Sequence, residues 1–121
     1  MTDLSNPSPK GPYTPIVKSG NTYFISGQLG LNENRFEEGL KNQVTQALKN
    51  EEKLLRAHGL TLKNVVKTTV FLKNIDDYSL MNEAYVEMFG DTRPARSAVG
   101  VSGLPLGALV EIELIASSEN P

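Results

Sequence analysis

The sequence has no cysteine and no tryptophan, and its one histidine is His58. The lack of cysteine excludes disulfides, thiolate catalysis and cysteine-ligated zinc, and a single histidine makes a transition-metal site a poor hypothesis. With so little histidine, a Ser-His-Asp triad is also disfavoured, and no glycine run has the spacing of a phosphate-binding loop. We therefore expect a protein without a metal or other cofactor.

An excess of basic charge and a long apolar run are also lacking. Asp and Glu number 14 against 12 Lys and Arg, for a net charge of −2, which disfavours binding driven by nucleic-acid phosphates. No run approaches the roughly 20 apolar residues of a membrane span, and the polar start lacks the apolar centre of a secretory signal. We expect a cytoplasmic protein that binds neither nucleic acid nor membrane.

The length of 121 residues fits one domain. Residues 1–12 hold three prolines and a glycine among polar residues, which predicts a flexible lead-in. The single domain is then expected over residues 13–121.

Runs rich in β-branched and aromatic residues predict five strands in this domain. They are expected at residues 14–18, 22–26, 65–72, 95–101 and 109–116. The first two form a hairpin around a tight turn. With two helices between the later strands, the order is β-β-α-β-α-β-β, and helices on one face of a mixed sheet give an α+β fold.

Capping residues and glycines mark the ends of both helices. For the first helix, Asn34 and Glu37 resemble a capping box at the start, and Gly59 is a natural stop. For the second, Asp76 or Asp77 is expected to cap the start, and Gly90 to end it.

Arg96 is the first candidate for chemistry, because it interrupts an apolar strand. Alternation places Ala98 and Gly100 on the same face, and such small neighbours leave a hollow beside the guanidinium. A rigid guanidinium fork in a hollow matches a carboxylate. The alternative is an edge-strand arginine on a solvated face.

Two further features could belong to a site. Glu111 and Glu113 alternate with apolar residues, so one could serve as a base or orient water, or both could lie on a solvated outer face. Ser26 ends a predicted strand beside Gly27, where its hydroxyl could donate to a ligand. Arg93 precedes Pro94 and is expected to be solvated or paired with a carboxylate.

The candidate residues belong to a series of short segments that are distributed along most of the chain. In order, they are Gly11-Pro12-Tyr13, Ile25-Ser26-Gly27-Gln28, residues 65–70, Asn82-x-x-Tyr85 followed by Phe89, Arg93-Pro94-Ala95-Arg96-Ser97, Leu104-Pro105 and residues 107–113. In order and spacing, this series resembles the RidA/YjgF family, from about Gly11 to Ala116.

The resemblance implies a chorismate-mutase-like (YjgF-like) fold, assembled as a homotrimer with ligand clefts between subunits. It also implies hydrolysis of reactive 2-enamine and 2-imino acids, such as 2-aminoacrylate, 2-iminobutanoate and 2-iminopropanoate, to 2-oxo acids and ammonia. By the same resemblance, Arg96 binds the substrate carboxylate and Glu111 handles the attacking water. The remaining residues expected around the cleft are Tyr13, Ser26, Gly27, Asn82 and Ala98.

The sequence departs from the family pattern at two positions and leaves two other functions open. Ala98 stands where many members have cysteine, and Gly100 where many have glutamate, which affects the expected substrate rather than the fold. One alternative is a non-catalytic regulatory trimer in which Arg96 senses a small carboxylic acid. The other is an endoribonuclease or translation inhibitor, which the acidic charge disfavours.

Overall fold

Two helices and one five-stranded sheet form most of the structure, a computed structural model that describes residues 11–120. Residues 1–10 of the expected lead-in lie outside the described residues. The elements are β1 (Ile16–Ser19), β2 (Thr22–Leu29), β3 (Leu31–Asn32), β4 (Arg35–Phe36), α1 (Leu40–Arg56), β5 (Val65–Leu72), α2 (Tyr78–Phe89), β6 (Ala95–Gly100) and β7 (Val110–Ser117).

The main sheet has the strand order β1-β2-β7-β5-β6. Its pairs are antiparallel except β5 with β6, which run parallel because α2 connects them. The predicted α+β fold with a mixed sheet is confirmed, and β3 with β4 forms a separate small hairpin. Neither helix of the described residues combines the length and apolarity needed to cross a bilayer.

The core lies between the sheet and its two helices. From β7, Val110, Ile112 and Leu114 are buried against apolar residues of α1 such as Leu48 and Leu55. Burying each such side chain stabilises the fold by about 1.5–3 kcal/mol. Strand alternation then places Glu111 and Glu113 on the opposite, outer face of the sheet, as the sequence predicted.

The predicted start of the first helix is wrong. Asn34 does not cap a helix, because it lies in the turn of the β3–β4 hairpin with a φ of 68°. Asparagine tolerates this left-handed conformation as readily as it caps a helix. Glu37 instead donates its backbone N–H to the carbonyl of Gly30, and α1 begins after Gly39 without a side-chain cap.

The second helix also begins differently from the prediction. Asp77 precedes α2 but its side chain makes no capping hydrogen bond. Asn74, one turn earlier, provides the cap instead, because its side-chain oxygen accepts a hydrogen bond from the backbone N–H of Asp76 at 3.0 Å. Asn74 thereby begins a short 3₁₀ turn that leads into α2. The predicted end at Gly90 is confirmed, with a φ of 61° that favours glycine.

Candidate functional site

A β-bulge in β2 forms the centre of the first candidate region. Ile25 pairs with Leu114 and Gln28 pairs with Ile112, so two residues, Ser26 and Gly27, lie opposite one residue of β7. An extra residue of this kind bends the strand and re-aims nearby side chains. Pairing with β7 resumes after the bulge, at Gln28 and Leu29. Strand β2 therefore ends at Leu29, three residues beyond the predicted end.

Glu111 extends across this bulge, directly over Gly27. A Cβ atom added to Gly27 would lie 2.0 Å from Oε2 of Glu111 and 2.9 Å from its carboxyl carbon. Any other residue at position 27 would therefore displace the carboxylate. Glycine is therefore required at position 27, because only a residue without a side chain leaves room for the Glu111 carboxylate.

The environment of Glu111 favours its protonated form more than water does. Partial burial raises the pKa of this carboxyl group, and the negative charge of Glu113 raises it further. Glu113 is the more exposed of the two. A carboxyl group whose pKa is moved toward neutrality can both take and return a proton, which is the property of a general acid–base.

An open cleft of about 540 Å³ lies beside Glu111. Its polar side is formed by Ser26, Gly27, Glu111 and Glu113, and its apolar side by Tyr13, Leu29, Pro105 and Leu106. The hydroxyl of Ser26 donates to the carbonyl of Thr14 at 2.7 Å, so its proton is already used. The free lone pairs of Ser26 leave it an acceptor, and its role as a donor to a ligand stays a prediction.

Leu106 is a cleft residue that the sequence reasoning missed. It is 62% exposed and has a φ of 59°, a conformation that costs a non-glycine residue about 1–2 kcal/mol. The flanking Pro105 and Gly107 signal a turn but say nothing about the direction of the leucine. Strained residues of this kind cluster at ligand sites, and Leu106 gives the cleft an exposed apolar rim.

Arg96 forms the centre of a second region, on the helix side of β6. Its Nη2 donates to the hydroxyl of Tyr78 at 2.8 Å, and its Nη1 lies 3.8 Å from the sulfur of Met81. The guanidinium carbon is 5.4 Å from the ring centroid of Tyr78 and 4.7 Å from that of Tyr85. The guanidinium thus packs against two aromatic rings, which restrict its orientation, rather than extending freely into solvent.

Buried contacts fix the ring of Tyr85 beneath Arg96. Its hydroxyl lies 2.8 Å from Oγ1 of the fully buried Thr68, which pairs with Arg96 in the sheet. Burial raises the pKa of Tyr85, while the Thr68 hydrogen bond and the Arg96 charge lower it. Asn82 on α2 and Ala98 on β6 are both partly buried, and Ala98 shares the face of Arg96.

The fold separates the two residues predicted to act together. Arg96 faces α2, whereas Glu111 is on the outer face, two strands away across β5. Ordinary strand spacing and rise put their Cα atoms roughly 14 Å apart, with side chains that diverge. The predicted residues therefore divide into two half-sites, a Glu111 half with Tyr13, Ser26 and Gly27, and an Arg96 half with Asn82 and Ala98.

Arg93 is exposed to solvent, which is one of the two outcomes predicted from the sequence. Its guanidinium also donates to the carbonyl oxygens of Gly90 and Thr92. Cations favour the carbonyl end of a helix, and here Arg93 caps α2. Arg93 is thus a structural residue, close to Arg96 in sequence but different in role.

Comparison with known proteins agrees with this architecture. The sequence profile of the family described as Endoribonuclease L-PSP matches residues 4–118. A RutC family protein of Pyrococcus horikoshii is 45% identical over 93% of this chain and 92% of its own length. The human 2-iminobutanoate/2-iminopropanoate deaminase is 41% identical over 91% of this chain and 82% of its own. The crystal structure of RidA from an Antarctic Psychrobacter is 39% identical, with a TM-score of 0.90 over 96% of this chain and 97% of that one.

Proposed function

Because the chain belongs to the RidA/YjgF/L-PSP family, we propose that it is a cytoplasmic enzyme that hydrolyses 2-enamine and 2-imino acids to 2-oxo acids and ammonia. Relatives about 40% identical to it carry the name 2-iminobutanoate/2-iminopropanoate deaminase. The observation that carries the proposal is the Glu111 carboxylate, held over Gly27 at the edge of an open cleft. Its raised pKa suits a group that exchanges protons with water.

The reaction needs only positioning and proton transfer, which side chains can supply. Arg96 binds the substrate carboxylate with two parallel hydrogen bonds, which fixes the imine carbon in place. Glu111 accepts a proton from water as the water oxygen bonds to the carbon of the protonated imine and the C=N π electrons move to the nitrogen. Glu111 then donates this proton to the amino group of the carbinolamine. As the C–N bond breaks and ammonia leaves, the hydroxyl oxygen forms the C=O bond of the 2-oxo acid and its proton passes to Glu111.

Both half-sites must contribute to one cleft for this mechanism to work, so we propose a homotrimer. Arg96 and Glu111 diverge within one chain, and a neighbouring copy can bring its Arg96 half to the Glu111 half. The outer face of the sheet also exposes apolar side chains, including Phe24 at 46%, Val17 at 48% and Val99 at 43%. Apolar patches of this kind are usually covered by a partner, and closed symmetry is the common solution.

We expect sedimentation equilibrium at micromolar concentration to give three times the chain mass of 13.2 kDa. A Phe24→Lys variant places a charge in the centre of the exposed apolar face and should shift the equilibrium toward monomer. Its circular dichroism should match that of the wild type, because Phe24 lies outside the core. A stable, fully active monomer would rule out a cleft between copies.

The activity is tested by generating 2-iminopropanoate with an amino-acid oxidase and following its decay with and without the protein. We expect Glu111→Gln to lower kcat at least about tenfold, because the amide cannot exchange the proton. Glu113→Gln is the matched control and should have a smaller effect, because Glu113 is more exposed and does not lie over Gly27.

Equal effects of the two substitutions would mean that Glu111 has no special role. No acceleration by the wild type, together with saturable binding of 2-oxobutanoate, would favour the alternative of a non-catalytic protein that senses small carboxylic acids.

A further inference from the structure

Glu51 is a carboxyl group buried in the core, outside the two half-sites. It lies on the sheet-facing side of α1, with 0% of its surface exposed, and neither carboxyl oxygen has a hydrogen-bond partner of acceptable geometry in the described part of the chain, residues 11–120. An isolated ionised carboxylate in such a place is very costly, so a buried acid of this kind keeps its proton. The position calls for an explanation, since leucine would fill it at lower cost.

Within residues 11–120, no basic side chain offsets the burial of Glu51. The elements that pack most closely against α1 are β2, β3, β7 and α2. From β7, Glu113 and Glu111 repel a charge on Glu51, while β2 and β3 bring no acidic or basic side chain and only Tyr23 as a titratable group. The two glutamates of α2 that face α1, Glu83 and Glu87, pair with Lys41 in the first turn of α1.

Within α1 itself, the nearest charged side chains lie toward solvent. Lys49 and Lys53 are exposed, and Glu52 pairs with Arg56 at 3.3 Å. The polar group that favours an ionised Glu51 is the backbone N–H of Gln28, which belongs to the β2 bulge. Burial outweighs it, so the pKa of Glu51 is well above the ordinary value of 4.5.

We propose that Glu51 is a positioning residue for Glu111, which supports the β2 bulge from the helix side while uncharged and displaces the bulge when it ionises. This inference rests on the proposed function, in which Glu111 is the group that handles water. Glu111 lies over Gly27 on the outer face of the sheet, whereas Glu51 is on the helix side and interacts with the backbone N–H of Gln28, so the β2 bulge lies between the two side chains. Two carboxylates so placed cannot both ionise cheaply, so Glu111 takes the charge and Glu51 keeps the proton.

The first test is the pH dependence of kcat, measured with the imine assay from pH 4.5 upward through the range in which the enzyme stays folded. For the wild type we expect kcat to fall at least about tenfold as Glu51 loses its proton and Glu111 leaves the cleft. In Glu51→Gln this decline should disappear, because the amide has a similar shape but cannot ionise. Glu52→Gln, the neighbouring substitution on the same helix, should retain the wild-type profile.

A Glu51→Leu variant separates positioning from packing. It too cannot ionise, but it offers no oxygen to the backbone of Gln28, so kcat should fall at all pH values while KM changes little. Declines of equal size with rising pH in the wild type and Glu51→Gln would overturn the proposal. So would a Glu51→Leu enzyme with wild-type kcat.

A second test does not need the enzyme to be active. In protein with ¹³C-labelled glutamate carboxyl groups, the Glu111 signal should show two inflections with pH, its own and a later one as Glu51 ionises. Glu51→Gln should keep only the first, and a single inflection in the wild type would refute the coupling. Because no substrate is present, this result stands apart from failure of the deaminase assay.

The pH dependence of the free energy of unfolding provides a third test, because the proposal fixes whether this free energy rises or falls with pH. The folded state keeps the Glu51 proton above pH 4.5, whereas the unfolded chain releases it there, so the folded state binds more protons in this range. The free energy of unfolding must then decrease as pH rises from 4.5 toward the folded-state pKa, and level off beyond it. Glu51→Gln should remove most of this decrease, and an unchanged slope would show that Glu51 is ionised in the folded protein.

Discussion

Arg96→Ala is expected to lower kcat/KM for imine hydrolysis at least about a hundredfold, or roughly 3 kcal/mol of transition-state stabilisation. This loss corresponds to one charge-assisted, two-pronged contact with the substrate carboxylate. Binding of 2-oxo acids, followed by calorimetry, should be lost in parallel. Arg96→Lys should recover only part of both, because an ammonium cannot make two parallel bonds or stack equally well on Tyr78 and Tyr85.

Arg93→Ala is the matched control for this experiment. Arg93 has the same charge and lies three residues away, but its guanidinium binds the carbonyl oxygens of Gly90 and Thr92. Its removal should cost about 1 kcal/mol of stability through the lost helix cap and leave kcat/KM close to the wild-type value. Circular dichroism and sedimentation must accompany the kinetics. A folded Arg96→Ala enzyme with wild-type activity would contradict the proposed mechanism.

Gly30→Ala is expected to have the largest effect on stability, a loss of about 3 kcal/mol or more in the free energy of unfolding. A Cβ atom at position 30 would lie 2.5 Å from Cα of Gln43 and 2.6 Å from its carbonyl oxygen. These are backbone atoms of α1, so no side-chain rotation relieves the clash, and the helix must move off the sheet. Gln43 is itself fixed, because its side chain binds the carbonyl of Glu37 and the N–H of Leu109.

Urea denaturation measures this loss, and Gly103→Ala provides the control. The added methyl at Gly103 meets no atom within 4 Å, and Gly103 is not among the glycines with positive φ. We expect its free energy of unfolding to stay within about 0.5 kcal/mol of the wild type. Similar stabilities for Gly30→Ala and Gly103→Ala would mean that α1 can retreat from β2 at little cost.

The parts of the fold that depend on local pattern could be read from the sequence. Strand β5 has the predicted bounds, because an uninterrupted run of β-branched and aromatic residues has few alternatives. The bulge at Ser26 and Gly27 could not be predicted, since it depends on the register between β2 and β7, which are far apart in the chain. The start of α1 was mispredicted at Asn34, because asparagine is common both as a helix cap and in a left-handed turn.

The candidate site was predictable in its residues but not in its arrangement. The small neighbours of Arg96 and the alternation around Glu111 mark both residues in the sequence. Neither pattern indicates that Arg96 and Glu111 point to opposite sides of one sheet, because their relative position depends on the strand order. The burial of Glu51 was not predicted, although the sequence carries a signal for it. Glu51 is one helical turn away from four apolar residues, so it lies in the middle of the apolar stripe of α1, with Ala47, Leu48, Leu54 and Leu55.

The strand order has a consequence for how the chain is made. Strand β7 is the last strand in sequence and the middle strand in space, paired with β2 on one side and β5 on the other. During synthesis, the ribosome therefore exposes β1, β2, β5 and β6 before the strand that joins them exists. Contacts between residues as distant as Thr22 and Ser117 slow folding, and the unpaired edges of the nascent chain are open to aggregation. A nascent chain stalled before Val110 should thus remain protease-sensitive, because it lacks the centre of the sheet rather than an edge.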